Sequence, residues 1–194
     1  MMRLDVFQHN PQSIYCVYKF TNFLKEDYLD LLTRKTAELT QSDSMSRQTN
    51  VYANMTKYSE LLKHPEYKDF LELCAQQLLM IFSLKTPHSI DKVEVAFRDV
   101  WGMTHVRGDF TKAHWHMSPN ISWSGAFCLK SPSEKEPQDA IAFYDFNVKD
   151  IMTSNTLYLF HSLVKHEVSE HLSKEPRISL GFNLDLNVIK EPSE

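Results

Sequence analysis

Two periodicities divide the chain. In the first ninety residues apolar side chains recur at three- and four-residue spacing, the repeat of a helix with one buried stripe. Phe23, Leu24, Tyr28, Leu31 and Leu32 form one such set behind Asn22, a residue suited to cap a helix N-terminus. Phe70, Leu73, Cys74, Gln77, Leu78 and Ile81 form a second, preceded by His64-Pro65 and ended by Pro87 and Ser89. A short strand is predicted ahead of both, over residues 14–20, and the polar, weakly patterned residues 41–56 are predicted to be a loop. From about Val93 the repeat switches to two, as on a strand whose faces alternate between core and solvent. Strands are predicted over residues 93–104, 113–117, 124–130, 141–146, 156–160, 167–168 and 177–186. A turn at Gly108-Asp109, a polar hairpin loop over 131–139 and a frayed tail over 189–194 complete the pattern.

Helices followed by short strands, without strand–helix alternation, predict an α+β class built on a sandwich or barrel. A length of 194 residues fits one domain: mainly helical support over 1–90, a β core over 91–188 and the tail. The net charge of -4, with no long basic run, does not favour nucleic acid as a partner. The four glycines, at 102, 108, 125 and 181, are scattered, so no phosphate loop or dinucleotide fingerprint exists. Cys16, Cys74 and Cys128 are odd in number and form no Cys-x-x-Cys pair, which argues against a disulfide framework and fits a reducing, cytoplasmic setting. No signal-peptide pattern opens the chain, and no apolar run approaches the ~18 residues needed for a membrane span.

The candidate chemistry lies in the β half. His114 and His116 flank Trp115, and on a strand they point to one face while Trp115 points to the other. Two such imidazoles can serve one metal ion, and a third from a neighbouring strand would complete one face of its coordination sphere. His166 is the candidate third ligand, with His161 and His171 as rivals, the latter in a polar stretch that reads as solvated. Asp109 and Asp145 are rival carboxylates, while His9, His64, His88 and His105 read as surface or capping histidines. Arg177, in Arg177-Ile178-Ser179, offers a guanidinium fork to an acidic co-substrate, with a bidentate geometry that lysine lacks. Asn183 shares a strand face with Arg177 and Ser179, and Tyr158 is a further candidate hydrogen-bond donor. Imidazole alone does not choose among iron, zinc, copper and nickel, but an open facial set points to chemistry with bound small molecules.

Residues 101–129 (WGMTHVRGDFTKAHWHMSPNISWSGAFCL), with Leu157-Tyr158-Leu159-Phe160, His166-Glu167-Val168 and Arg177-Ile178-Ser179-Leu180-Gly181-Phe182-Asn183, resemble a group of 2-oxoglutarate- and Fe(II)-dependent oxygenases. The resemblance covers residues 93–187 and implies a double-stranded β-helix, or jelly roll, with supporting N-terminal helices. It implies that His114, His116 and His166 are the catalytic metal ligands and that Arg177, assisted by Ser179, binds the far carboxylate of 2-oxoglutarate. The implied cofactors are Fe(II), 2-oxoglutarate and O2. The implied activity is a dioxygenase hydroxylating an unidentified small molecule or peptide side chain, with release of succinate and CO2. Three departures stand out: His116 where the wider superfamily has an acid, Met117 where the group tends to have proline, and Cys128 where it tends to have tyrosine. Two other readings remain: a three-histidine dioxygenase that uses no 2-oxo acid, and a non-enzymatic jelly roll whose histidines hold a structural zinc or nothing. Substrate choice would fall to the loops 41–56, 131–139 and 147–155, the mouth to Asn120, Ser122, Trp123 and Ser124, and an exposed sheet edge leaves pairing with a second copy open.

Overall fold

A computed structural model describes residues 1–8, 15–42, 49–85, 93–116 and 122–188. Twelve strands among these residues form two antiparallel sheets. The larger sheet has the order β1 (Arg3–Phe7), β2 (Val17–Thr21), β10 (Thr156–His161), β7 (Trp123–Lys130), β12 (Arg177–Val188), β5 (Val93–His105) and β4 (Asn54–Met55). The smaller runs β3 (Val51–Tyr52), β6 (Phe110–His114), β11 (His166–Val168), β8 (Ala140–Phe143) and β9 (Val148–Ile151). Their faces meet as a jelly roll, and helices α1 (Glu26–Ser42) and α2 (Lys68–Lys85) accompany the larger sheet, so the α+β double-stranded β-helix expected from the sequence is the fold.

The alternation along β12 builds both layers at once. Leu180, Phe182 and Leu184 point away from the smaller sheet and join Phe20, Phe127 and Leu157 in a core shared with Leu32, Phe70 and Leu78 of the helices. α1 comes close because β5 carries Gly102, where a Cβ would meet the Thr36 methyl at 2.7 Å. The opposite face of β12 presents Arg177, Ser179, Gly181 and Asn183 to the space between the sheets. Their Cα partners continue these rows: His105 beside Arg177, Met103 and Cys128 beside Ser179, Trp101 and Ala126 beside Gly181, Asp99 and Ser124 beside Asn183.

Several boundaries differ from expectation. The first strand runs over Val17–Thr21 rather than 14–20, and β1, at the sheet edge, was not predicted. α1 begins at Glu26, because Asn22 has a left-handed φ of 53° and forms a turn instead of a cap. The loop expected over 41–56 contains the last residues of α1 and the two-residue strands β3 and β4, and that expected over 147–155 contains β9. Residues 144–146 form a 3-10 turn rather than the end of a strand. Met117, Asn120, His9, His88, Pro87, Ser89 and the 189–194 tail lie outside the described residues. No described helix is long and apolar enough to cross a membrane.

Candidate metal centre

His114 closes β6 and His166 opens β11, and the two are direct Cα partners across the antiparallel pair. Their rings stand 4.3 Å apart, centroid to centroid. His116 lies two residues beyond the end of β6, where its backbone N–H donates to the Ser162 carbonyl at 2.9 Å, and its ring lies on the same side as that of His114. The third ring is thereby brought 5.0 Å from His114 and 5.3 Å from His166. One potential ligand atom from each histidine lies within 4.8 Å of the others. Of the rivals, His161 packs against Tyr15 and Trp123, and His171 lies in a different cluster. Asp145 accepts from the Lys165 N–H, and Asp109 from that of Val106.

Backbone carbonyls orient two of the rings. Nδ1 of His114 lies 2.7 Å from the Lys112 carbonyl and Nδ1 of His166 lies 3.0 Å from that of Val164. A carbonyl only accepts, so each Nδ1 carries the proton and each Nε2 is left with a free lone pair, the tautomer a metal ligand needs. Burial pushes the pKa of all three rings below the ordinary histidine range. For His116 it goes down to about 4, with His114 adding to the effect; for His114 the Lys112 carbonyl opposes the shift. Three neutral imidazoles converging from one side fit a borderline divalent ion such as iron or zinc.

Two spaces adjoin the rings. Outside lies an open cavity of about 530 Å³, bordered by His114, His116, Tyr58, Asp99, Trp101 and Asn183. Inside, a narrow apolar space runs between the sheets past Gly181, Met103, Ile141, Phe160 and Val168. Gly181 is required here: a Cβ would lie 2.5 Å from the Trp101 indole, which crosses β12 at this point.

The four residues assigned to the co-substrate do not gather at one point. Asn183 borders the outer cavity, donates to Asp99 at 3.5 Å and accepts from Ser124 at 2.9 Å. Tyr158 donates to Asp150 at 2.6 Å, and Lys19 pairs with the same carboxylate oxygen. Ser179 is buried one row below Gly181. Arg177 is 1% exposed; its Nη1 donates to Asp139 at 2.7 Å, and Nε has no partner among the described residues.

Asp139 was not singled out in the sequence, where it ends the polar 131–139 loop, yet it organises a buried polar cluster. The same oxygen that receives Arg177 also receives His171 Nδ1 at 2.7 Å, and His171 Nε2 faces the Glu175 carbonyl. His171, expected to be solvated, is 0% exposed, and His105, expected at the surface, is 1% exposed with neither ring nitrogen bonded among the described residues. Asp109, placed in a turn by the sequence, is buried too. Trp123, assigned to the mouth by the sequence, is packed against Tyr18 and His161 in the core.

No protein-family model and no curated protein matches the sequence. Solved structures with the same fold include a Pseudomonas putida prolyl-4-hydroxylase, at 16% identity and a TM-score of 0.66 over 88% of this chain and 92% of that one. A collagen prolyl hydroxylase of Paramecium Bursaria Chlorella virus-1, solved with 2-oxoglutarate, is 13% identical with a TM-score of 0.64, covering 87% of this chain and 94% of that one. The non-heme α-ketoglutarate-dependent epimerase SnoN of nogalamycin biosynthesis reaches a TM-score of 0.66 at 8% identity, covering 90% of this chain and 80% of that one. At these identities the likeness is one of fold.

Proposed function

We propose that the protein is an Fe(II)- and 2-oxoglutarate-dependent oxygenase that hydroxylates an unidentified substrate, with His114, His116 and His166 holding the iron. The observation that carries the reading is the convergence of these three neutral rings at the mouth of a jelly roll, between an open outer cavity and a narrow inner space. Structures of the same fold named as 2-oxoglutarate enzymes support it. Ferrous iron bound there would couple oxidative decarboxylation of 2-oxoglutarate, to succinate and CO2, with oxidation of the substrate. The chain's own part is orientation and exclusion of water. The backbone carbonyls of Lys112 and Val164 hold two ligand rings in the required tautomer. Because the third ligand is a neutral ring and not a carboxylate, a divalent ion keeps its full charge and favours an anionic co-ligand. Met103, Ile141, Phe160 and Val168 line the inner space with apolar surface, and Arg177 with Ser179 closes the β12 row beyond it.

The test is anaerobic reconstitution with ferrous iron and 2-oxoglutarate, followed by succinate release on admitting air. His166→Ala is expected to abolish iron binding and succinate release, and Arg177→Ala to raise the 2-oxoglutarate requirement at least about tenfold, the loss of one charge-assisted pair. Full turnover in both variants would refute the assignment.

One observation favours a second reading. Arg177 already holds an internal carboxylate, that of Asp139, which is what a three-histidine dioxygenase with no need of a dicarboxylate would show. Unchanged metal-site spectra on adding 2-oxoglutarate to the iron-loaded protein would select it.

A further inference from the structure

The outer cavity has a lining that selects charge. Asp99, half-buried on β5, carries the only formal charge among the described residues bordering it, the histidines aside. It pairs with no cation among the described residues. One oxygen accepts from Ser59 Oγ at 3.1 Å and the other receives only the long 3.5 Å contact from Asn183. A carboxylate has about four acceptor positions, so most of its capacity is unused among the described residues. Beside it, Tyr58 and Trp101 meet edge to face, 5.3 Å apart at 78°. A carboxylate next to aromatic faces is the arrangement that binds an ammonium or guanidinium group, by charge and by the ring quadrupole together.

Trp101 borders both spaces beside the histidines and carries the Tyr58 ring against its own; its indole N–H, packed over Gly181 and closed to solvent, has no acceptor among the described residues.

The geometry points to a substrate that carries a cationic nitrogen, received by Asp99 and Tyr58, with its carbon skeleton toward His114 and His116. A basic amino acid has this chemistry, whether free or as a residue of a peptide. The inference rests on the oxygenase reading only in taking this cavity as the substrate's.

The experiment is calorimetric titration of the full chain, under nitrogen, with ferrous iron and 2-oxoglutarate present. The probes are L-arginine and L-lysine, their neutral isosteres L-citrulline and L-norleucine, and blocked tripeptides with arginine, lysine, citrulline or norleucine at the centre. At least one cationic probe is expected to bind about tenfold or more tightly than its isostere. Binding confined to the free amino acids, or to the tripeptides, identifies the source. Asp99→Asn is expected to bring the ratio close to one, and Tyr58→Leu, at a ring 43% exposed, to weaken the cationic probe alone. Equal binding of cation and isostere, a ratio unchanged in Asp99→Asn, or no binding of any cationic probe overturns the proposal. The visible charge-transfer band of the iron–2-oxoglutarate complex is read in the same samples. A normal band without cation preference refutes the cation site alone, whereas cation preference without a band refutes the oxygenase reading alone.

Discussion

Removing the Asp139 carboxylate should be the most damaging single change in the buried cluster. Asp139 and Arg177 are each 1% exposed at the side chain and His171 is 0% exposed, so water cannot replace the lost partner. Burial already pulls the Arg177 pKa below its ordinary value, and Asp139 opposes this most strongly, with Cys128 and Asp109 adding to it. Asp139→Ala leaves the guanidinium and the His171 N–H without their shared acceptor, and breaking a buried pair in this way costs ~3–5 kcal/mol. Against a total stability of ~5–15 kcal/mol, that is a large share, and at ~2–4 °C per kcal/mol for a chain of this size Tm falls by roughly 6–20 °C. Asp139→Asn keeps the acceptor oxygen that both donors share but not its charge, and should lose less. Urea denaturation and thermal unfolding of the three proteins measure this directly; a loss under about 1 kcal/mol in Asp139→Ala, where surface changes usually fall, would refute the reasoning. The same variant tests the role of Arg177. If Arg177 receives the far carboxylate of 2-oxoglutarate, that carboxylate replaces the missing one, and 2-oxoglutarate with a divalent metal should raise Tm more in Asp139→Ala than in the parent. Equal gains would assign the dicarboxylate elsewhere.

Three further changes probe the frame around the centre. Burial, with Arg177 and His171 adding to it, holds the His105 pKa well below the ordinary 6.5, so the ring is neutral when folded. The unfolded chain then binds the proton first as pH falls, so this stability is present above 6.5 and lost below it. His105→Leu should flatten the decline in Tm between roughly pH 6.5 and 5, and an unchanged slope would place the effect elsewhere. Asn155 has a left-handed φ of 59° and clamps Leu24 through bonds of 2.7 and 2.8 Å. Asn155→Ala should therefore cost about 2–3 kcal/mol in urea denaturation and Asn155→Gly less, since glycine restores the backbone part alone; equal losses would remove the conformational argument. Gly181→Val drives a side chain into the Trp101 ring and should cost ~1–3 kcal/mol while shifting tryptophan emission; a parent-like spectrum and Tm would show that the indole has room to move.

The parts of this molecule legible in sequence are those set by short-range repeats. α2 falls over its predicted stripe because Phe70, Cys74, Leu78 and Ile81 all face the larger sheet, and β7 and β12 lie almost where alternation put them. The histidine cluster was legible for a different reason: the order of His114, His116 and His166 carries it, and folding gathers the three rings, with the Ser162 carbonyl holding the backbone of His116 beyond the end of the strand. The Asp139 cluster was illegible because its members look polar in their own surroundings. His171 stands in HLSKEP and Asp139 in SPSEKEPQD, and neither stretch shows that strand pairing will seal both from water against Arg177. Asp139 changes what Arg177 means. An arginine two residues before a serine reads as a free fork awaiting a carboxylate, but in the folded chain one arm is already bound, with His171 sharing the same oxygen. A dicarboxylate must therefore either join this cluster at a remaining face of the guanidinium or displace Asp139 from it. The first course leaves the His171 contact intact and the second breaks it, so the His171 ring resonances, followed on adding 2-oxoglutarate, separate the two.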